Sequence, residues 1–570
     1  MRCRLCRWAP RIALALIGAA AIVLALGAYQ LGFDNNPAIG PKRILLLLAG
    51  SGLLYLGIRH RPAAVAPDDR LDPEAEPAPA RAPLWAALAI AFATLAFFAW
   101  QTYAGDPLDP PRTTYYYDMQ AEAFASGQTS LKVLPDPSLA EIRDPYDPAQ
   151  RRGMPRCRLG QTTDCFLNDA SYFEGRYYLY WGPAPAVLLS AFKLVGVGSI
   201  SDGLIALIGA SALFLVLASV VMTLFRQSFA RLPSWLIIPS LALCGLAYPL
   251  SWILDAPFIY ESAVILGALF LAAGMALAIP VLTLRDRSLR RLALVGTLWG
   301  LAFATRALLI LSVAVLAAGV IWSVARPHWP GRKAFAASLA AVGLPILAIA
   351  ILHAAYNFER FADPLEFGWR YQLQSGLRPL QATGSVDAFQ PGNLAANLRA
   401  YLAAPFTVSR EFPFLNPQVP VNTISFGALG PFPLGTEDST FQYPMVGLLV
   451  AAPFFAFTAY AAWWWLCGVA VRPSAEVGQG RGGLPNLVGV LIAASLCGLV
   501  PVLTDYVVTP RYLMDVFPFL VVLASLGAWE LYRANERGRA ARWVVSGLIL
   551  IAAIASVVLS TLLALNNWTL

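Results

Sequence analysis

Asp118 and Glu122 stand four residues apart at the start of a long polar stretch, in the run Tyr115-Tyr116-Tyr117-Asp118-Met119-Gln120-Ala121-Glu122. On a helix, positions four apart share a face. Two carboxylates so placed suit proton chemistry. One takes a proton from an incoming hydroxyl, while the other raises its partner's pKa or helps bind a metal. The plainer use of the same spacing is a solvated helix face. Tyr117 sets an aromatic ring beside Asp118, and a tyrosine run equally suits a membrane boundary. Further along, Asp144 and Asp147 sit in Arg143-Asp144-Pro145-Tyr146-Asp147-Pro148, where Asp-Pro steps are ordinary turn chemistry. Arg176, in Gly175-Arg176-Tyr177-Tyr178, either binds a phosphate through its guanidinium or stretches along an apolar surface to reach water.

Arg306 ends the apolar run Gly300-Leu301-Ala302-Phe303-Ala304-Thr305, and another apolar run follows at once. A charge between two spans costs about 2.5–3.5 kcal/mol on the insertion scale, which makes function the default reading. Its expected partner is an anion, with a salt bridge to a carboxylate such as Glu261 as the structural alternative. Tyr260 and Glu261 flank a short turn between two further apolar runs, and Arg511 opens another. Asn357 and Arg360 stand at the start of a second large polar segment. Each is a helix-end anchor by itself; together they would surround a charged cavity. His353 reads as a satisfied helix-end histidine, and three histidines in all leave no His-rich metal site.

These residues need a scaffold, and composition says which kind. Hydrophobic residues make up 58% and charged residues 13%, against about 45–50% and 25% in soluble proteins. Apolar runs of membrane-spanning length recur throughout, near 12–31, 43–58, 84–103, 203–225, 235–252, 259–281, 292–306, 308–324, 335–354, 443–468, 484–504, 513–532 and 543–565. The expected fold is an all-α polytopic membrane bundle of about 13 spans. Its net charge of +8 is spread through short basic connectors, so it reports topology and not a nucleic-acid partner. The expected organisation is a two-helix membrane unit (1–58), a flexible cytoplasmic linker (59–83), a membrane core (84–354), a second large segment (355–442) and C-terminal membrane helices (443–570). The stretch from Trp181 to Gly198 is expected to lie at the interface without crossing. That choice keeps every basic connector cytoplasmic and puts 104–202 and 355–442 on the outer face. Cys157 and Cys165 fall in the first of these segments, where a short disulfide is one of two even alternatives. No Walker A motif, dinucleotide glycine fingerprint or HExxH is present.

The order of features resembles the GT-C glycosyltransferase superfamily, in particular bacterial relatives of the dolichyl-phosphate-mannose protein mannosyltransferases. The matching parts are Tyr117-Asp118, Gly175-Arg176-Tyr177-Tyr178 with Gly182-Pro183-Ala184-Pro185, Gly300 to Arg306, the segment Tyr356 to Gly368, and Arg511-Tyr512. The resemblance covers about residues 84–530. Where such proteins write an acidic pair, this chain has Asp118-Met119, with Glu122 the next acid. The resemblance implies an enzyme of the bacterial inner membrane with its site on the periplasmic side. It would move a sugar from a polyprenyl-phosphate donor to a hydroxyl of a glycan, lipid or protein. Asp118 and Glu122 would be catalytic. Arg176, Arg306 and Arg511 would hold the donor phosphate, and Tyr117, Asp144, Asp147, Tyr260, Glu261, Asn357 and Arg360 would bind substrate. No cofactor is required by this reading, and a divalent metal stays open. A lipid-linked glycan flippase and an O-antigen-ligase-like enzyme with a lipid-diphosphate donor are the alternatives.

Overall fold

The computed structural model describes residues 84–103, 113–157, 165–255, 257–284, 288–325, 332–374, 389–418, 444–471, 483–505, 507–536 and 538–566, with Thr163 and a few isolated positions before residue 51. Helices dominate the first half: α1 (Leu84–Thr102), α2 (Tyr116–Ala125), α3 (Ala184–Leu194), α4 (Asp202–Ser228), α5 (Ile237–Leu246), α6 (Ile259–Leu284), α7 (Leu289–Thr305) and α8 (Ile310–Ala325). The second half adds α9 (Arg332–Phe361), α10 (Leu394–Ala403), α11 (Leu448–Ala451), α12 (Phe457–Val471), α13 (Leu484–Thr504), α14 (Phe517–Ala534) and α15 (Arg539–Asn566). Two short antiparallel hairpins complete it, β1 (Ser171–Phe173) with β2 (Arg176–Tyr178), and β3 (Phe406–Val408) with β4 (Leu415–Pro417).

Eight helical segments among the described residues are long and apolar enough to cross a membrane: α1, α4, α6, α8 with its preceding turn, α9, α13, α14 and α15. The protein is a multi-pass helical membrane protein. The expected spans at 12–31 and 43–58, and the linker 59–83, fall almost wholly outside the described residues. Two other expectations change. The apolar stretch 235–252 is helical only to Leu246. The stretch 443–468 is broken into α11, a short 3-10 turn and α12, because Pro453 interrupts it. Helix α7, at 17 residues, is at the short end of spanning length. Helix α3, at 11 residues, rises only about 16 Å at 1.5 Å per residue, too little to cross.

The long helices are apolar almost all round, as membrane segments must be. Their ends carry the polar instructions. At the start of α4, the Ser201 hydroxyl accepts from the Leu204 N–H at 3.1 Å, and Asp202 follows in the first turn. Between spans, small residues admit close approach. A Cβ on Gly296 of α7 would sit 2.2 Å from the Val342 carbonyl of α9. On the other side of α7, Trp299 is fully buried and donates its indole N–H to the Leu271 carbonyl of α6 at 3.3 Å.

Outside the spans, the described residues of 113–201 interlock with residues 362–374. Ser171 of β1 bridges to Gln372, its hydroxyl donates to the Gly368 carbonyl at 2.8 Å, and Arg151 donates to the Gln374 carbonyl at 2.6 Å. A Cys157–Cys165 disulfide staples the first of these segments. Next to them the starts of α6 and α8 gather with the ends of α7, α9 and α13, and the Asp202 N–H at the start of α4 donates to the Thr114 carbonyl at 2.8 Å.

Candidate functional site

One cavity of about 1170 Å³ opens at these helix ends, at the upper edge of what small-molecule sites commonly occupy. Its aromatic walls come from Trp181, Trp252, Phe303, Trp369 and Tyr512. On α8 and its preceding turn the wall is apolar, with Leu308, Ile310 and Leu311. Gly182 closes the wall against α7. A Cβ there would lie 2.0 Å from the Ala304 carbonyl oxygen, so only glycine permits this approach.

Four of the residues singled out in the sequence line the cavity: Tyr260, Glu261, Arg306 and Arg511. Arg306 caps α7, its N–H reaching the Ala302 carbonyl, and its Nε meets Asp515 Oδ1 at 2.6 Å. Arg511 Nη1 meets Glu261 Oε1 at 3.1 Å, and the other oxygen of Glu261 accepts from the Phe258 N–H at the start of α6. The structural alternative weighed for Arg306, a salt bridge to a carboxylate, is met by Asp515, while Glu261 pairs with Arg511 from the same turn before α14. The guanidiniums also rest on rings, Arg511 over Tyr260 at 4.5 Å and Arg306 over Tyr512 at 5.0 Å. Arg306 Nη2 and Asp515 Oδ2 are buried without a hydrogen-bond partner. Burial without a partner is costly, so these atoms are held ready for something polar.

A further carboxylate of the cavity is Asp169, which sequence reasoning missed. It lines the wall beside Asn168 and Arg156. Asn168 donates to its Oδ2 at 2.8 Å, and the Tyr260 hydroxyl also donates to its carboxylate. Its backbone is pinned on both sides. The Asp169 N–H reaches the Leu373 carbonyl at 3.1 Å, and the Gln372 side chain donates to the Asp169 carbonyl at 3.1 Å. Asp169 has a φ of +61°, a left-handed conformation that Asp and Asn adopt more readily than most residues. Burial raises its pKa above the ordinary carboxylate value, opposed by the Tyr260 hydrogen bond and by Arg511 and Arg156 at longer range. Asp255 and Asp505 add further carboxylates to the lining.

The other residues expected to act at the site lie elsewhere. Asp118 is 4% exposed on α2, where its Oδ1 meets Lys193 of α3 at 2.6 Å and accepts from the Ile200 N–H at 2.8 Å. Glu122 reaches the same lysine at 3.5 Å. The Lys193 side chain is 6% exposed and joins α2 to α3. None of the three lines the cavity. Tyr117 is fully buried beneath it. Arg176 is exposed on β2. Asp144 and Asp147 accept from the N–H groups of Tyr146 and Ala149, which is turn capping. Helix α9 runs past the expected end at 354, so Asn357 and Arg360 are buried in its last turns and not in a loop. Arg360 donates to Asn357 Oδ1 at 2.6 Å and to the Leu179 carbonyl, and lies 3.9 Å over the Tyr356 ring. His353 lines the cavity with its Nδ1 buried and unpartnered, so it is not the satisfied histidine expected.

Among the described residues, no group of three His, Cys, Asp or Glu side chains is placed to hold a metal ion. The chain matches no protein-family model and no curated protein. The signal that could have found Asp169 was weak. Asn168-Asp169 is one polar dipeptide in a loop rich in them, and its partners come from residues 260 and 372–373.

Proposed function

We propose that this protein is a membrane glycosyltransferase that moves a sugar from a polyprenyl-phosphate-type lipid donor to an acceptor hydroxyl, with the cavity as its active site. The observation that supports this most is Arg306, a buried guanidinium at the mouth of a membrane helix that keeps Nη2 uncommitted beside aromatic and apolar walls. A departing lipid phosphate carries negative charge, and a pre-oriented arginine fork stabilises it as the sugar–phosphate bond breaks. The apolar α8 wall suits the lipid, while the aromatic rings suit the apolar faces of a sugar. In this reading the GT-C resemblance holds, and the site lies on the outer face of a bacterial cytoplasmic membrane. The acceptor is a glycan, a lipid or a protein.

The test uses the full chain in lipid nanodiscs with polyprenyl phosphate and polyprenyl diphosphate as separate probes. Wild type is expected to bind the monophosphate. Arg306→Leu should lose that binding while Arg306→Lys keeps part of it, because the charge survives but the fork does not. Preference for the diphosphate would favour the ligase-like alternative. Unchanged monophosphate binding by Arg306→Leu would reduce Arg306 to a structural partner of Asp515.

A further inference from the structure

We propose that Asp169 is the catalytic base of this cavity, taking the proton of the acceptor hydroxyl in place of Asp118; the assignment rests on the glycosyl-transfer reading. Three features of its placement carry it. Asp169 lines the same cavity as Arg306 and Trp181. Its hydrogen bonds come from an amide and a phenol. Among the described residues no cation lies within ion-pair distance of it, so its lone pairs are oriented without being locked. Asp118 fails on both counts, since it lies off the cavity and is held by Lys193.

The left-handed backbone at Asp169 adds a third argument. Loops carry such conformations where the surroundings over-determine them, and they gather at sites whose side chains must point one way. Here the hydrogen bonds from Gln372 and to Leu373 hold the strain and aim the carboxylate. Burial lifts its pKa, which suits a base that must bind a proton well.

The step balances without a co-reactant. The acceptor oxygen forms a bond to the anomeric carbon while its proton passes to the Asp169 carboxylate. The anomeric carbon–oxygen bond to phosphate breaks, and its electron pair leaves on the polyprenyl phosphate near Arg306. Tyr260, donating to Asp169 beneath the Arg511 guanidinium, is a positioning residue in this scheme.

The experiment compares full-length wild type, Asp169→Asn, Asp169→Glu and Asp118→Asn in nanodiscs. Donors are polyprenyl-phosphate-linked glucose, galactose and mannose, with membrane extract supplying acceptors. Turnover is read as polyprenyl phosphate released, and binding of free polyprenyl phosphate is read separately. Asparagine keeps the size of Asp169 and tolerates its positive φ, so the variant should stay folded. Asp169→Asn should lose about 10²–10⁴-fold in turnover with polyprenyl-phosphate binding within a few-fold of wild type. Asp169→Glu should recover part of the loss. If Asp169→Asn turns over within tenfold of wild type while Asp118→Asn carries the deficit, the assignment is overturned and the transfer reading stands. A wild-type protein that turns over no donor overturns both.

Discussion

Two buried carboxylates invite comparison, Asp118 between α2 and α3 and Asp169 at the cavity. Both sit outside the spans, both are largely shielded from water, and burial raises the pKa of each. They differ in what surrounds them. Asp118 has an ammonium at 2.6 Å and a backbone N–H at 2.8 Å, and its lysine is further shared with Glu122 and the Gly198 carbonyl. Asp169 has neutral donors and an open side. Burial and a raised pKa are therefore not enough to mark a reacting group. What marks it is capacity left unspent towards a space that a ligand can fill.

The largest effect expected is on rate. If the contrast holds, Asp169→Asn loses about 10²–10⁴-fold in turnover, while Asp118→Asn stays within about tenfold. The second effect is on stability and runs the other way. Lys193→Met strands Asp118 in a buried setting, where removing one partner of an ion pair costs about 3–5 kcal/mol. The low end is expected, because a carboxyl with a raised pKa can take up a proton. Thermal unfolding in detergent should show a clear drop for Lys193→Met. An unchanged midpoint would mean that the α2–α3 cluster is not a structural staple.

A third test sharpens the comparison through pH. A base acts in its deprotonated form, and the folded-state pKa of Asp169 is raised above 3.8. Turnover should therefore fall on acidification at a pH above the usual carboxylate range. Tyr260→Phe removes a hydrogen bond that lowers this pKa, so the acid limb should move to higher pH. Arg156 and Arg511 act in the same direction as that bond, while Glu261, Asp255 and Asp505 also line the cavity. Replacing each acid in turn identifies the one that owns the limb. A limb unmoved by Tyr260→Phe would assign it to another carboxylate. The smallest effect belongs to Glu122→Gln. Its side chain is 45% exposed and lies 3.5 Å from Lys193, so both stability and turnover should change little, within about 0.5 kcal/mol.

The long apolar runs now seen as α4, α6, α9, α13, α14 and α15 were legible in the chain, because lipid demands an apolar surface and a helical backbone over a fixed length. Arg306, Arg511, Tyr260 and Glu261, which line the cavity, were conspicuous in the chain for the same reason. A charged or amphipathic group at the edge of an apolar run is conspicuous and expensive. Pairing was not. Arg306 meets a carboxylate 209 positions away and Arg511 one 250 positions away, and nothing local to any of the four distinguishes the observed pairs from Arg306 with Glu261. Asp118 drew attention through its tyrosines and its spacing to Glu122, yet only the packing of α2 on α3 brought Lys193 to it. Asp169 carried no local mark. Its role depends on Tyr260 and Gln372 arriving from separate segments, and on a cavity that exists only once helix ends from across the whole bundle are gathered. Short-range pattern is set by what each residue does in its own helix or in lipid; which side chains keep free capacity is decided by which segments meet.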